Sequence, residues 1–187
     1  MFENIHRNMI TLQFSSFAEM QQHAVAAFKP YNTRLVLRHG MTASAHMIKQ
    51  RAVGMLGTYQ AAAGPFGAWP ELAESTKNRR AARGYRPNDP LYVTGKLSKS
   101  YEVDAEGDSV GVGSELPAAL GMEIGVPAKN VPARPVLGIA FVQSEKHAFA
   151  ALVDVVGALV TTRNPALIPV AARLIAMKYE RMNVMYP

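Results

Sequence analysis

Leu97-Ser98-Lys99-Ser100-Tyr101-Glu102-Val103-Asp104, with Ala105-Glu106-Gly107-Asp108 and Ser109-Val110-Gly111-Val112-Gly113 after it, decides the fold class. Leu97, Tyr101 and Val103 share one face of an extended segment, and polar residues occupy the other. Ala105–Asp108 supplies turn residues, and Val110 and Val112 alternate on the return. This pattern predicts an antiparallel hairpin. Segments of helical period on both sides make the chain α+β: a small twisted antiparallel sheet with a β-hairpin, packed by N-terminal and C-terminal helices.

Upstream, Ser16 and Glu19 form a capping-box pair. Phe17, Met20, Ala24, Ala27 and Phe28 follow at helical spacing, and Pro30 stops the run. Arg34-Leu35-Val36-Leu37-Arg38 reads equally as a short strand or a helix lead-in. A second helix is expected from Thr42 to about Tyr59, on the stripe Met41, Ala45, Ile48, Ala52, Met55, Tyr59. From Ala61 the text changes: Gly64-Pro65-Phe66-Gly67, Gly84, Pro87 and Pro90 break regular structure, and a single helical turn after Trp69-Pro70 is the most expected there. A loop of this length generally serves a binding or assembly surface.

Downstream of the hairpin, Pro117, Gly121, Gly125, Pro127 and Pro132 mark a second long loop. Pro135-Val136-Leu137-Gly138-Ile139 is a candidate third strand, and Ser144 a candidate cap for a helix to about Val160. Asn164-Pro165 starts a last helix through Leu167, Ala171, Leu174, Ile175, Lys178 and Met182. The expected organisation is one domain, 1–187. N-terminal helices occupy 1–60 and a long loop region 61–96; hairpin, Gly/Pro loop and return strand occupy 97–142, and C-terminal helices 143–187.

Composition narrows function. The 187 residues are 49% hydrophobic and 18% charged, enough to bury a core. With no cysteine, disulfides, thiolate zinc, iron–sulfur clusters and a cysteine nucleophile are excluded. The segment Ala148–Val160 carries Asp154 and falls short of the about 20 apolar residues of a membrane span. No secretory leader is expected at the N-terminus, and the chain reads as soluble, with no membrane partner. The net charge of +6 is uneven. Residues 1–86 hold 11 Lys and Arg against 4 acids; residues 87–187 hold 9 against 10. The densest run is Lys77, Arg79, Arg80, Arg83 and Arg86, with no acid among residues 77–86. It suits a phosphate or an acidic protein surface, and equally a solvated helix end.

Catalytic patterns fail in turn. Thr94-Gly95-Lys96-Leu97-Ser98 has Leu97 where a phosphate loop needs Ser or Thr, and Pro90 in place of its first glycine. Gly111-Val112-Gly113 lacks a third glycine and a following helix. His6, His23, His39, His46 and His147 show no ligand spacing, and His46 sits off its helix's apolar stripe. Glu102, Asp104, Glu106 and Asp108 alternate along a hairpin as solvent-facing residues do. No Gly-x-Ser-x-Gly elbow is present. No enzyme activity, cofactor or metal is expected. Trp69 and Tyr85 flanking the basic run leave a nucleic-acid-binding accessory protein as the alternative.

The punctuating residues from Gly64 to Ala140 carry a resemblance. Gly64-Pro65-Phe66-Gly67-Ala68-Trp69-Pro70-Glu71-Leu72 with Ser75-Thr76 is similar to a Gly-rich turn, Trp-x-x-Leu and Ser-Thr in phage virion morphogenesis proteins. Pro90–Ser100, with Leu91, Thr94, Gly95, Leu97 and Ser100, resembles their Leu-x-x-Thr-Gly-x-Leu-x-x-Ser. Val110–Ser114 matches a strand ending in a glycine, Gly113. Val131–Gly138, with Pro132, Arg134 and Pro135, matches Ile-Pro-Ala-Arg-Pro-Phe-Leu-Gly. Glu123-Ile124-Gly125 keeps the family's Glu-x-Gly, whereas Leu116-Pro117-Ala118-Ala119 lacks its aromatic residue and Val136 replaces Phe. The family comprises Mu-like virion morphogenesis proteins and, more distantly, lambda-like tail-completion proteins.

The resemblance implies a structural virion protein, made in the bacterial host cytoplasm and located at the head–tail junction. It would act as a cyclic homo-oligomer, a hexamer or dodecamer. Neighbouring neck, connector, tail-terminator or tail-tube proteins are the implied partners, with phage DNA close by. The loops at 61–96 and 114–135 are the expected contacts between subunits.

Overall fold

Two long helices dominate the computed structural model, which describes residues 16, 18–19, 33–107, 109–162, 170–175 and 177–178. Helix α1, Thr33–Met55, and the last long helix, Leu137–Thr162, make the most extensive contact between any two elements. Neither contains proline, so the backbone hydrogen-bond ladder of each can run without a break. Small residues bring them together. A Cβ on Gly40 would fall 2.5 Å from Leu152 Cδ1. Val36, Met47, Ala52 and Met55 are buried on the first helix, and Ile139, Ala140, Ala151 and Val155 on the second. Two polar ties cross the seam: Ser44 Oγ donates to the Ala148 carbonyl at 2.7 Å, and Arg51 Nε to Gln143 Oε1 at 2.7 Å.

Between these helices the chain forms α2 (Glu74–Ala81), α3 (Lys96–Ser100), β1 (Tyr101–Glu106), β2 (Ser109–Ser114) and α4 (Pro117–Ile124). A 3-10 turn at Pro127–Lys129 follows, and Leu137–Thr162 is α5. The strands pair antiparallel, Tyr101 opposite Ser114, Val103 opposite Val112 and Ala105 opposite Val110. Both pack on α1, whose Arg38 guanidinium donates to the Ala105 carbonyl. Glu102, Asp104 and Glu106 are exposed on the opposite face, as their alternation predicts. The class is the expected small α+β fold.

Several details differ. Leu97–Ser100 belongs to the helical turn α3, where Ser98 Oγ and Ser100 Oγ donate to the Gly95 and Leu97 carbonyls at 2.8 Å each. The hydroxyls thus bond backbone three residues back, and the strand begins only at Tyr101. No third strand forms among the described residues: Leu137 opens α5, and Ser144 lies buried inside that helix instead of capping it. Helix α1 starts at Thr33 and ends at Met55, so Arg34–Arg38 is helical and Tyr59 lies beyond the helix. The region 61–96 holds the two-turn helix α2, and the region 114–135 holds α4 and the 3-10 turn; neither is plain loop.

At the chain ends, the Glu19 amide donates to Ser16 Oγ at 3.1 Å, one half of the expected capping box. The rest of that helix, Asn164-Pro165 and Met182 lie outside the described residues. Residues 170–175 and 177–178 are helical; Ala172 packs with Val36 and Val155, and Lys178 Nζ lies 3.3 Å from Asp154 Oδ2. No helix among the described residues is long and apolar enough to cross a membrane.

Candidate functional site

Trp69 is the anchor of the 61–96 region. Its ring is 4% exposed, within a cluster that includes Met55, Tyr101, Val136 and Ile139. Nε1 donates to the Pro135 carbonyl at 3.1 Å, giving the one polar atom of the ring a partner. Ahead of it, Ala63 and Phe66 exchange backbone hydrogen bonds at 3.0 Å each. This turn presses Phe66 onto Gly138, where a Cβ would fall 2.4 Å from the ring. Trp69 is therefore unavailable for stacking on a base.

Arg134 crosses to the same region. It is 4% exposed, and its Nε and Nη2 donate to the Pro70 carbonyl at 3.0 and 2.9 Å, with Nη2 also 3.0 Å from the Glu71 carbonyl. Its own amide donates to the Met122 carbonyl at 2.7 Å. Burial pulls the guanidinium below its ordinary pKa, Tyr59 opposing and Arg80 adding to the shift. An arginine remains charged under such a shift, so these are charge-assisted bonds to backbone oxygens.

Glu123 fixes the start of α5. Its Oε1 accepts the Val136 and Leu137 amides at 2.9 and 2.5 Å, supplying both a hydrogen-bond partner and a negative charge to the helix N-terminus. Gly125, at φ +76°, lets 122–126 lie against 131–133. A Cβ there would sit 2.8 Å from the Ala133 nitrogen and 3.0 Å from the Val131 oxygen.

The segment 88–97 is held from behind. Gly57 N donates to the Pro90 carbonyl at 2.8 Å, and Arg80 donates to the Asp89 carbonyl. Tyr59 Oη donates to Asn88 Oδ1 at 2.7 Å and accepts the Leu72 amide at 3.0 Å, bridging three segments. The motif segments then surround a cleft of about 740 Å³. Leu72, Thr94, Gly95, Leu97, Pro132 and Arg134 all line it, joined by Arg79, Arg80 and Lys96.

Trp69 and Pro135 are buried in the core, Pro70 contributes its carbonyl, and Glu123 and Gly125 brace the segment that forms one wall. Gly113 stands apart on the hairpin, where nothing lies within 4 Å of a Cβ built on it. Tyr59 and Tyr101 were invisible as site residues because their stripe and strand positions already accounted for them. Tyr101 is 1% exposed, and its hydroxyl has no hydrogen-bond partner among the described residues. Burial, with the Glu123 carboxylate behind it, pushes its phenol well above the ordinary value.

The basic run is partly used internally. Lys77 Nζ lies 2.8 Å from Glu74 and 3.5 Å from Glu71, and the hydrogen bond to Glu74 raises its pKa. Arg80 holds the Asp89 carbonyl, and Arg86 lies 3.7 Å from the Asp89 carboxylate. Arg79 and Arg83 are exposed on and just past α2. Pairs this exposed add little stability. His46 is exposed, as its position off the stripe predicts. Among the described residues, no group of three or more His, Asp or Glu could hold a metal ion.

Comparison of the chain with known protein families, characterised proteins and solved structures returns no match.

Proposed function

We propose that the chain is a structural virion protein of a tailed phage, a tail-completion or neck component working as an oligomeric ring at the head–tail junction. One observation carries this reading: residues of the ordered motifs bond to one another across the fold. Trp69 meets Pro135, and Arg134 meets Pro70 and Glu71. Motifs that resemble a virion family are thereby knit into a single unit around one cleft. Joining of heads to tails is then a matter of shape and order of assembly, with no covalent turnover and no cofactor. Neck, connector, tail-terminator or tail-tube proteins are the partners.

Imaging particles made without this chain tests the role. Separate filled heads and tails are expected; normally joined virions would contradict it. A second reading, a nucleic-acid-binding accessory protein, draws on exposed Arg79, Arg83 and Arg86. Salt-sensitive DNA binding by the free chain, without a ring in particles, would favour it.

A further inference from the structure

The cleft is cationic over an apolar lining. Arg79 and Lys96 present exposed charges to it, Arg80 and Arg134 stand in its wall, Glu71 is the one acid among the described residues that line it, and Leu72, Val93, Leu116 and Met122 supply apolar surface. No aromatic side chain among the described residues lines it, so these supply no base stacking, the usual grip on single strands. An acidic protein surface with small side chains suits it better.

The chain itself presents such a surface. Glu102, Asp104 and Glu106 project from one face of β1, at every second residue and thus roughly 7 Å apart. Their cross-strand partners are Gly113, Gly111 and Ser109, so the acids rise beside a shallow trough with no bulky neighbour. None of the described hairpin residues lines the cleft. The hairpin packs on α1 and is tied there by Arg38, so it cannot fold back into its own cleft. Acidic face and basic cleft are different patches of one chain, the arrangement that a head-to-tail contact requires; such contacts form a ring when their rotation closes.

We propose that the cleft, through its exposed Arg79 and Lys96, receives the acidic hairpin face of a second copy. The inference rests on the ring assignment and names its subunit contact. Charge complementarity selects the neighbour and its orientation, and the apolar walls exclude water around the ion pairs.

Sedimentation velocity across a salt series tests it, using three charge variants of the full chain checked for folding by circular dichroism. Asp104→Lys with Glu106→Lys reverses the hairpin; Arg79→Glu with Lys96→Glu reverses the cleft; the third chain carries all four changes. These side chains hold no backbone group in place. The expected result is self-association that weakens with salt, drops at least about tenfold in either singly reversed chain, and returns in the fourfold variant. Mixing the two singly reversed chains should restore growth beyond the dimer, because the hairpin of each then meets a cleft of opposite charge on the other. Association indifferent to both reversals overturns the contact but leaves the ring assignment standing. A chain that stays monomeric at millimolar concentration overturns the contact. Salt-sensitive DNA binding lost on cleft reversal, with no self-association, overturns the proposal in favour of a nucleic-acid occupant.

Discussion

Arg134 and Pro70, 64 residues apart in the chain, are joined by two hydrogen bonds from one guanidinium to one carbonyl oxygen, at 3.0 and 2.9 Å. Through this bond the segment 131–135 and the segment 69–72 move as one piece, and the cleft between them keeps its shape. A third bond, to Glu71, fixes the plane of the guanidinium.

Removing that fork should cost stability. Arg134→Met keeps length and packing but leaves two backbone carbonyls without their charged donor, an expected loss of about 2–3 kcal/mol in urea unfolding. Arg134→Lys should recover only part of it, because an ammonium lacks the planar fork. A loss below about 0.5 kcal/mol for Arg134→Met, within the range of ordinary surface changes, would refute the clamp.

Glu123 acts on α5 through one oxygen. Glu123→Ala should destabilise by about 1–2 kcal/mol, the usual size of a lost cap. Glu123→Gln should cost less, since its amide oxygen still accepts from Val136 and Leu137. Thermal unfolding of the two variants orders them; equal losses would mean that charge, not the hydrogen bonds, carries the effect.

That cap also explains a misreading. Pro135–Ile139 looks like a strand because proline precedes a short apolar run and no local capping residue is present. The partner that satisfies the first amides of α5 is Glu123, 13 residues away from Val136. Periodicity reports only neighbours along the chain, so a cap supplied from another segment is not legible in it. The hairpin from Tyr101 to Ser114 was legible because apolar and polar residues alternate locally. Leu97–Ser100 mimicked the same alternation, yet serine hydroxyls there bond to carbonyls of their own turn. The motif residues were visible as a set of types in order; their mutual bonds, across 60 or more residues in the case of Arg134 and Trp69, were not.

Tyr101 carries a pH dependence. Its buried hydroxyl lacks a hydrogen-bond partner among the described residues, so Tyr101→Phe should be neutral or stabilising at pH 7. The unfolded phenol ionises near 10.0, whereas the folded one keeps its proton well above that. Above pH 10 the unfolded chain therefore holds fewer protons, and stability falls as pH rises; below it the contribution is complete. Tyr101→Phe should flatten the alkaline limb of the stability curve. An unchanged limb would contradict the assignment.

Two glycines should behave in opposite ways. Gly125→Ala puts a Cβ into backbone at a positive φ and should cost about 2 kcal/mol or more, with loss of soluble expression as the first sign. Gly113→Ala meets open space and should leave Tm nearly unchanged. Any defect it causes in particle assembly would then report on the hairpin surface. Equal destabilisation by both would refute the packing described here.

Complementation in vitro tests the proposed role most directly. Heads and tails made without this chain are mixed with the purified chain, and infectious joined particles are counted. The expected result is a titre that rises with added chain, while the Arg134→Met variant, with its cleft unclamped, supports fewer. A titre that does not respond to the purified chain, with heads and tails joining equally well without it, would contradict the assignment to the head–tail junction.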